Sequence, residues 1–165
     1  MNTLLTYYSK FGNTKRIVNA IVKGLEAESS VTLRELVHLE ASDFDGIDLL
    51  VVGTPTHKMN LPQDVRPVLE RFPKKILKGV PVAAFDTSYK MSDRNSPEWL
   101  AKHTAARKLA KRLRKLGGKL IVAPESFHVQ DREGPLYDGE VERAKTWAEG
   151  ILQKWTGVHT SNQKA

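Results

Sequence analysis

Leu4-Leu5-Thr6-Tyr7-Tyr8, then Ser9-Lys10-Phe11-Gly12-Asn13-Thr14, then Ile17-Val18, Ile21-Val22 and Leu25: the reading of this stretch decides the fold. The first run is short and apolar, as a buried strand requires. The apolar residues of the last run recur at helical spacing and predict a helix over Thr14–Glu28 with one apolar face. Between strand and helix lies a loop bearing hydroxyls and a glycine. A helix start offers unpaired N–H groups and the positive end of the macrodipole, which together bind an anion. Ser9 and Thr14 add hydroxyl donors, and Gly12 lets the backbone approach without a Cβ in the way. Asn13 tolerates a turn conformation and can cap. The loop reads as a phosphate nest. It lacks the Gly-Lys-Ser/Thr ending of a nucleoside-triphosphate loop and the three spaced glycines of a dinucleotide fingerprint.

The chain of 165 residues is of a length for one domain with a proper core. A hydrophobic fraction of 40% and a charged fraction of 27% suit a globular protein, and no apolar run reaches membrane-span length. Met1-Asn2-Thr3 leads straight into the first strand, so no signal peptide is expected. The chain has no Cys, which excludes disulfides, thiolate catalysis and Cys-ligated metal and fits a reducing, cytoplasmic setting. The formal charge is +7, and eight basic residues with no acidic one fall between Lys102 and Lys119. Without that stripe the chain is close to neutral.

Read in order, Val31–Leu36 alternates as a half-exposed edge strand, and the polar segment 41–47 is a loop or short helix. Asp48–Gly53 is a strand covered on both faces. Thr54–Pro62 is a loop, followed by a helix carrying Val65, Val68, Leu69 and Phe72 that ends before Pro73. Val80–Phe85 is another buried strand, and 86–96 is a long polar loop. Ser96-Pro97-Glu98 has the residues of a helix start, and the helix it opens carries Leu100, Ala106, Leu109, Leu113 and Leu116 to a stop at Gly117-Gly118. Lys119–Ala123 is the last strand, Pro124–Tyr137 is irregular, and Val141–Trp155 is the last helix. From Gly157 on, the polar residues predict a frayed tail, so the domain is expected to span 1–156. Alternating strands and helices with apolar central strands predict an α/β fold, a doubly wound parallel sheet with helices on both faces. A ligand then binds beyond the carboxyl ends of the strands, where three polar loops should converge: Ser9–Thr14, Thr54–Asn60 and Asp86–Asn95.

Taken together, these three loops resemble those of the flavodoxin-like family in its short-chain form. The first is similar to the family's hydroxyl-x-aromatic-Gly-Asn-Thr loop. Gly53-Thr54-Pro55-Thr56 with Asn60-Leu61-Pro62 resembles its second flavin loop, and Phe85-Asp86-Thr87 the start of its third. Pro124 to Val129 and Glu133-Gly134-Pro135-Leu136 resemble a subset of bacterial and archaeal relatives. The resemblance covers nearly the whole chain. It implies a five-stranded sheet of order 2-1-3-4-5 and FMN as ligand. Carried over, Ser9, Lys10, Phe11, Gly12, Asn13 and Thr14 form the phosphate loop. Pro55, Thr56, His57, Lys58, Met59 and Asn60 line the flavin from the second loop, and Thr87, Ser88 and Tyr89 approach it from the third. The second loop departs from the family where His57 and Met59 replace an aromatic residue and a glycine, leaving Asn60 as the residue most tolerant of an unusual backbone. A Lys58 charge near the ring would raise the flavin's potential.

No acid–base pair, activated nucleophile or metal-ligand spacing stands out; Asp86 stands alone at a strand end, and only His128 lies near the expected pocket. The implied function is that of an FMN-binding electron carrier with redox partner proteins, acidic ones if the basic stripe lies near the flavin edge. Two alternatives stay open: an FMN-dependent oxidoreductase acting on NAD(P)H and quinone or on a porphyrinogen-type substrate, and nucleic-acid binding through the basic stripe, which lacks interleaved aromatics.

Overall fold

The computed structural model describes residues 1–95 and 97–163, together with the side chains of all these except 98, 101 and 159–163. Its regular elements are β1 (Asn2–Tyr7), α1 (Asn13–Leu25), β2 (Ser30–Glu35), β3 (Leu49–Pro55), α2 (Val65–Glu70), β4 (Pro81–Tyr89), α3 (Ala105–Lys115), β5 (Lys119–Leu120), β6 (Glu125–Val129) and α4 (Glu140–Gln163). Every strand pair is parallel, and the order is β2-β1-β3-β4-β5 with β6 also on β4. The expected order and layering are therefore observed, with β2 at the edge. β1, β3 and β4 all point one way, so the segments after Tyr7, Pro55 and Tyr89 leave the same end of the sheet.

Strand alternation divides the core in two. Leu5, Val51, Ala83, Phe85 and Phe127 face α1 and α4. Leu4, Leu50, Val52, Val82 and Ala84 face α2 and α3. On the first face Phe85, Phe127 and Trp147 meet edge to face, with centroids 5.9–6.0 Å apart. Gly53 makes room for them, because a Cβ there would lie 1.9 Å from the Phe85 ring.

Four boundaries differ from the sequence reading. β4 runs to Tyr89, so Asp86–Tyr89 is strand and not loop. Its polar side chains hide a paired backbone: Asp86 and Thr87 pair with Thr54 and Pro55 of β3, and all four residues pair with Ser126, Phe127, His128 and Val129 of β6. The last sheet position holds two short pieces instead of one strand over 119–123. β5 pairs with Pro81 and Val82, the chain leaves the ladder after Ile121, and β6 pairs higher up. α3 begins at Ala105 rather than at Pro97, after a separate 3₁₀ turn over Glu98–Lys102. Thr104 is the extended N-cap residue, φ −86 and ψ 157, and the first helical amides donate to the side chains of Thr56 and Asp86. The cap expected of Ser96 lies outside the described residues. Finally, α4 continues as helix through Gln163, past the point at Gly157 where a tail was expected.

Candidate functional site

At the start of α1 the backbone turns through Gly12 at φ +90, a left-handed conformation suited to glycine. The N-cap residue, being Gly12, supplies no side-chain cap, and no acidic residue lies in the first turn. The Ser9 hydroxyl accepts from the Lys15 amide at 3.3 Å, and the Gly12 carbonyl from the Arg16 amide at 3.0 Å. Among the described residues the amides of Gly12, Asn13 and Thr14 have no acceptor. A Cβ built on Gly12 meets nothing within 4 Å. Three amides without an acceptor at a helix start, with open space beside Gly12, fit a dianionic phosphate.

The first and third segments meet at this nest. The hydroxyls of Thr14 and Thr87 hydrogen-bond at 2.8 Å, both buried. The second segment joins them: the Thr56 amide donates to the Thr87 carbonyl at 2.9 Å. The Thr56 hydroxyl donates to Asp86 Oδ2 at 3.1 Å and accepts from the Ala105 amide at 2.8 Å, while Asp86 Oδ2 also accepts from the Ala106 amide at 2.8 Å. Asp86 is thus the hub between β4, the 56–60 turn and the start of α3, not an isolated acid. Burial pushes its carboxyl pKa up, opposed by the Ala106 amide and by the Ser126, Ser88 and Thr56 hydroxyls. Its Oδ1 has no partner of hydrogen-bonding geometry among the described residues, and neither have the buried hydroxyls of Thr54 and Thr6. Ser88 shares the Asp86 face of β4 and so points away from Thr14.

The second segment closes as a two-residue hairpin. His57 and Asn60 exchange backbone hydrogen bonds at 2.9 and 2.8 Å. The central residues Lys58 and Met59 have φ +47 and +59, the sign pattern of a type I′ turn. The tolerant positions are therefore 58 and 59, not Asn60 as the sequence suggested. Asn60 instead accepts from the Leu61 amide through its side chain at 2.9 Å. His57 is half-buried beside the first loop. Desolvation, then the charges of Lys10 and Arg132, depress its pKa, with Asp64 opposing, so the ring is neutral at pH 7.

Pro55 is half-buried, and Lys10, Phe11, Lys58 and Met59 are exposed at the rim. Lys10 and Arg132 lie near the Phe11 ring, 5.5 and 5.8 Å from its centroid. Tyr89 lies against the first core and carries the Arg94 guanidinium over its ring at 3.5 Å. Sequence reasoning missed the loop after β6. There the Asn13 side-chain amide donates to the Glu133 carbonyl at 3.0 Å, and a Cβ on Gly134 (φ +104) would lie 2.7 Å from Asn13 Oδ1. His128 packs its backbone there, its amide donating to Glu140 Oε2 at 2.6 Å.

Two concavities flank this junction. One of about 360 Å³ is lined by Tyr7, Tyr8, Ser9, Gly12, Lys15, Glu35 and Val37. The other, of about 350 Å³, is lined by Lys90, Asp93, Arg94, Val129, Gln130 and Tyr137. The first shares the nest itself, and the second sits beyond Tyr89. No cluster of metal-ligating side chains and no helix apolar and long enough to cross a membrane occurs among the described residues.

A doubly wound parallel sheet of order β2-β1-β3-β4-β5 defines a class of α/β proteins that bind ligands beyond the carboxyl ends of the strands. Within that class, the family model of the flavodoxin domain matches residues 4–127, and the chain belongs to that family. Among solved structures it is similar to a flavodoxin from the domain Archaea, at 18% identity and TM-score 0.71 over 94% of this chain and 99% of that one. Oxidised flavodoxin 2 from Bacillus cereus aligns at 22% identity and TM-score 0.73, over 93% and 99% of the two chains. The flavodiiron protein from Giardia intestinalis aligns at 14% identity and TM-score 0.72, over 98% of this chain and 37% of that one. No curated protein sequence matches the chain.

Proposed function

We propose that this flavodoxin-family protein binds FMN and carries electrons between partner proteins. The observation that carries the reading is the meeting of three segments at one end of the sheet. Thr14, Thr56 and Thr87 are linked by hydrogen bonds beside the open amides of residues 12–14. When bound, the flavin supplies one- and two-electron redox chemistry that side chains lack. The residues of this chain bind and orient it. The α1 start and Ser9 hold the phosphate, and Gly12 keeps a Cβ out of its way. The 55–60 hairpin lines the ring with His57, a neutral planar group at pH 7. Thr87 holds the two segments in register, and Tyr89 flanks the third side. Lys10, Lys58 and Arg132 make the rim positive, which favours a reduced, anionic flavin.

The test is a titration of the purified full chain with FMN, read by quenching of flavin fluorescence. Saturable quenching at micromolar FMN is expected, with no steady NAD(P)H consumption when a quinone is added. Unquenched fluorescence would reject the reading. Sustained NAD(P)H turnover would reassign the protein as a reductase.

A further inference from the structure

α3 turns Ala105, Ala106, Leu109, Ala110 and Leu113 into the core and Arg107, Lys111, Arg114 and Lys115 out to solvent. None of these four cations has an acidic partner among the described residues. Arg112 is used differently: its guanidinium donates twice to the Leu69 carbonyl, at 3.2 and 2.8 Å, fastening α3 to α2. The two ends of the helix settle where this charge lies. At the far end, the Leu77 amide donates to the Leu116 carbonyl at 2.9 Å and the Gly79 amide to the Gly117 carbonyl at 3.1 Å, bringing the exposed Lys74, Lys75 and Lys78 alongside. At the near end, α3 starts on the Thr56 hydroxyl and the Asp86 carboxylate, within the candidate site. The turn just before it carries Trp99, 57% exposed, more than any other large apolar side chain among the described residues. Its ring meets His103 edge to face at 5.7 Å.

An amphipathic helix needs a polar outer face, but solvation alone calls for mixed signs. Here Arg107, Lys111 and Lys115 repeat at i, i+4, and like-charge pairs at that spacing destabilise a helix by roughly 0.2–0.5 kcal/mol each. A one-signed face whose end at the candidate site carries an exposed tryptophan is built for contact. We propose that the outer face of α3, with Trp99 at its site end, docks an acidic protein surface and seats it beside the 56–60 hairpin. Under the FMN reading, on which its purpose rests, the docked protein is the redox partner. A protein fits this face better than a nucleic acid does. The row is a single convex helix with no aromatic among its cations, whereas strand binding uses stacking platforms along a groove. An exposed Trp at one end of a row of Arg and Lys is the composition of a protein–protein anchor.

The experiment titrates the ¹⁵N-labelled full chain with an acidic plant-type ferredoxin and follows amide and Trp99 indole shifts. Shifts are expected at Trp99 and along 104–115, with affinity falling at least about tenfold from about 20 to about 200 mM salt. The Arg107→Glu/Lys111→Glu/Lys115→Glu variant is expected to bind ferredoxin at least about tenfold more weakly, with FMN affinity unchanged. Trp99→Ala should weaken the complex by roughly 5- to 30-fold. The proposal is overturned if the shifts map elsewhere, if the triple variant binds as wild type does, or if a short DNA duplex binds more tightly than ferredoxin at the higher salt. The readout needs no flavin, so its failure and that of FMN binding are separable: docking without FMN would leave the α3 surface standing and remove its redox purpose.

Discussion

Gly12 and Asp86 carry most of what single residues decide here. Gly12 sits at φ +90 with open space where a Cβ would be. Gly12→Ala should cost about 1–2 kcal/mol through left-handed backbone strain. It should also weaken FMN binding at least about tenfold, because the methyl group enters the phosphate nest. Gly46, at φ +70 and equally open, lies at the opposite end of the sheet. Gly46→Ala should bring a similar loss of stability, measured by urea unfolding, with FMN affinity intact. Asp86 makes a pH prediction. Its native pKa is raised above the ordinary 3.8, so the folded chain keeps a proton that the unfolded chain gives up. The stability it contributes is therefore full below pH 3.8 and is lost as pH rises through the native value. Asp86→Asn keeps an acceptor for Ala106 and Thr56 but does not titrate. Its stability relative to wild type should rise with pH across that window, and a constant difference in urea unfolding across the same pH values would contradict the assignment. The turn at Gly12 was legible because it is set by immediate neighbours, whereas the partner that buries the Thr14 hydroxyl, Thr87, lies 73 residues away in the chain. The partner of Asn13 was not legible either, since Glu133 is 120 residues away in the chain. A lone Asp ending an apolar strand was the one available sign of the Asp86 hub.

At the scale of elements, the hairpin 57–60 holds stored strain. Lys58 and Met59 occupy the left-handed region, which residues with a Cβ avoid. Replacing them with the pair that type I′ turns prefer, Lys58→Asn with Met59→Gly, should raise stability by about 0.5–1.5 kcal/mol, read by thermal or urea unfolding. No change, or a loss, would mean that the turn has another shape. The strain lies in the segment expected to line the flavin, where a change of backbone conformation is cheapest. Strands β1 and β3 and helix α1 were readable because their apolar periodicity is unbroken. The end of β4 was not, because Thr87 and Ser88 are polar yet buried, and only their pairing, Thr87 with β3 and β6 and Ser88 with β6, makes them strand. The start of α3 was missed for a related reason. Ser96-Pro97-Glu98 has the residues of a helix start, but the described helix takes its caps from Asp86 and Thr56. Local propensity does not contain such tertiary caps.

Across the whole molecule, the sheet separates two tasks. One face is closed by α1 and α4 around Phe85, Phe127 and Trp147. A clamp holds α4 to β6: Arg143 bonds Glu140 at 2.7 Å and Glu125 at 3.0 Å, and donates to the Ser126 carbonyl at 2.5 Å. Arg143→Met would leave Glu140, which is nearly buried, without its cation, and should lower stability by about 1–3 kcal/mol. The other face carries α3 and its charge, so the chain's excess of basic residues is a surface property and says nothing of the fold. Sheet order and family were legible because they rest on the order of elements, which the sequence states directly. How the cations lie relative to the site needed the contact between Ala105 and Thr56. The central claim is that the α1 start holds a phosphate, and the most direct measurement compares FMN with riboflavin, which has the same ring and no phosphate. Binding of FMN tighter by about 100-fold or more is expected, the worth of one or two charge-assisted hydrogen bonds. Equal affinities for the two flavins would contradict the account.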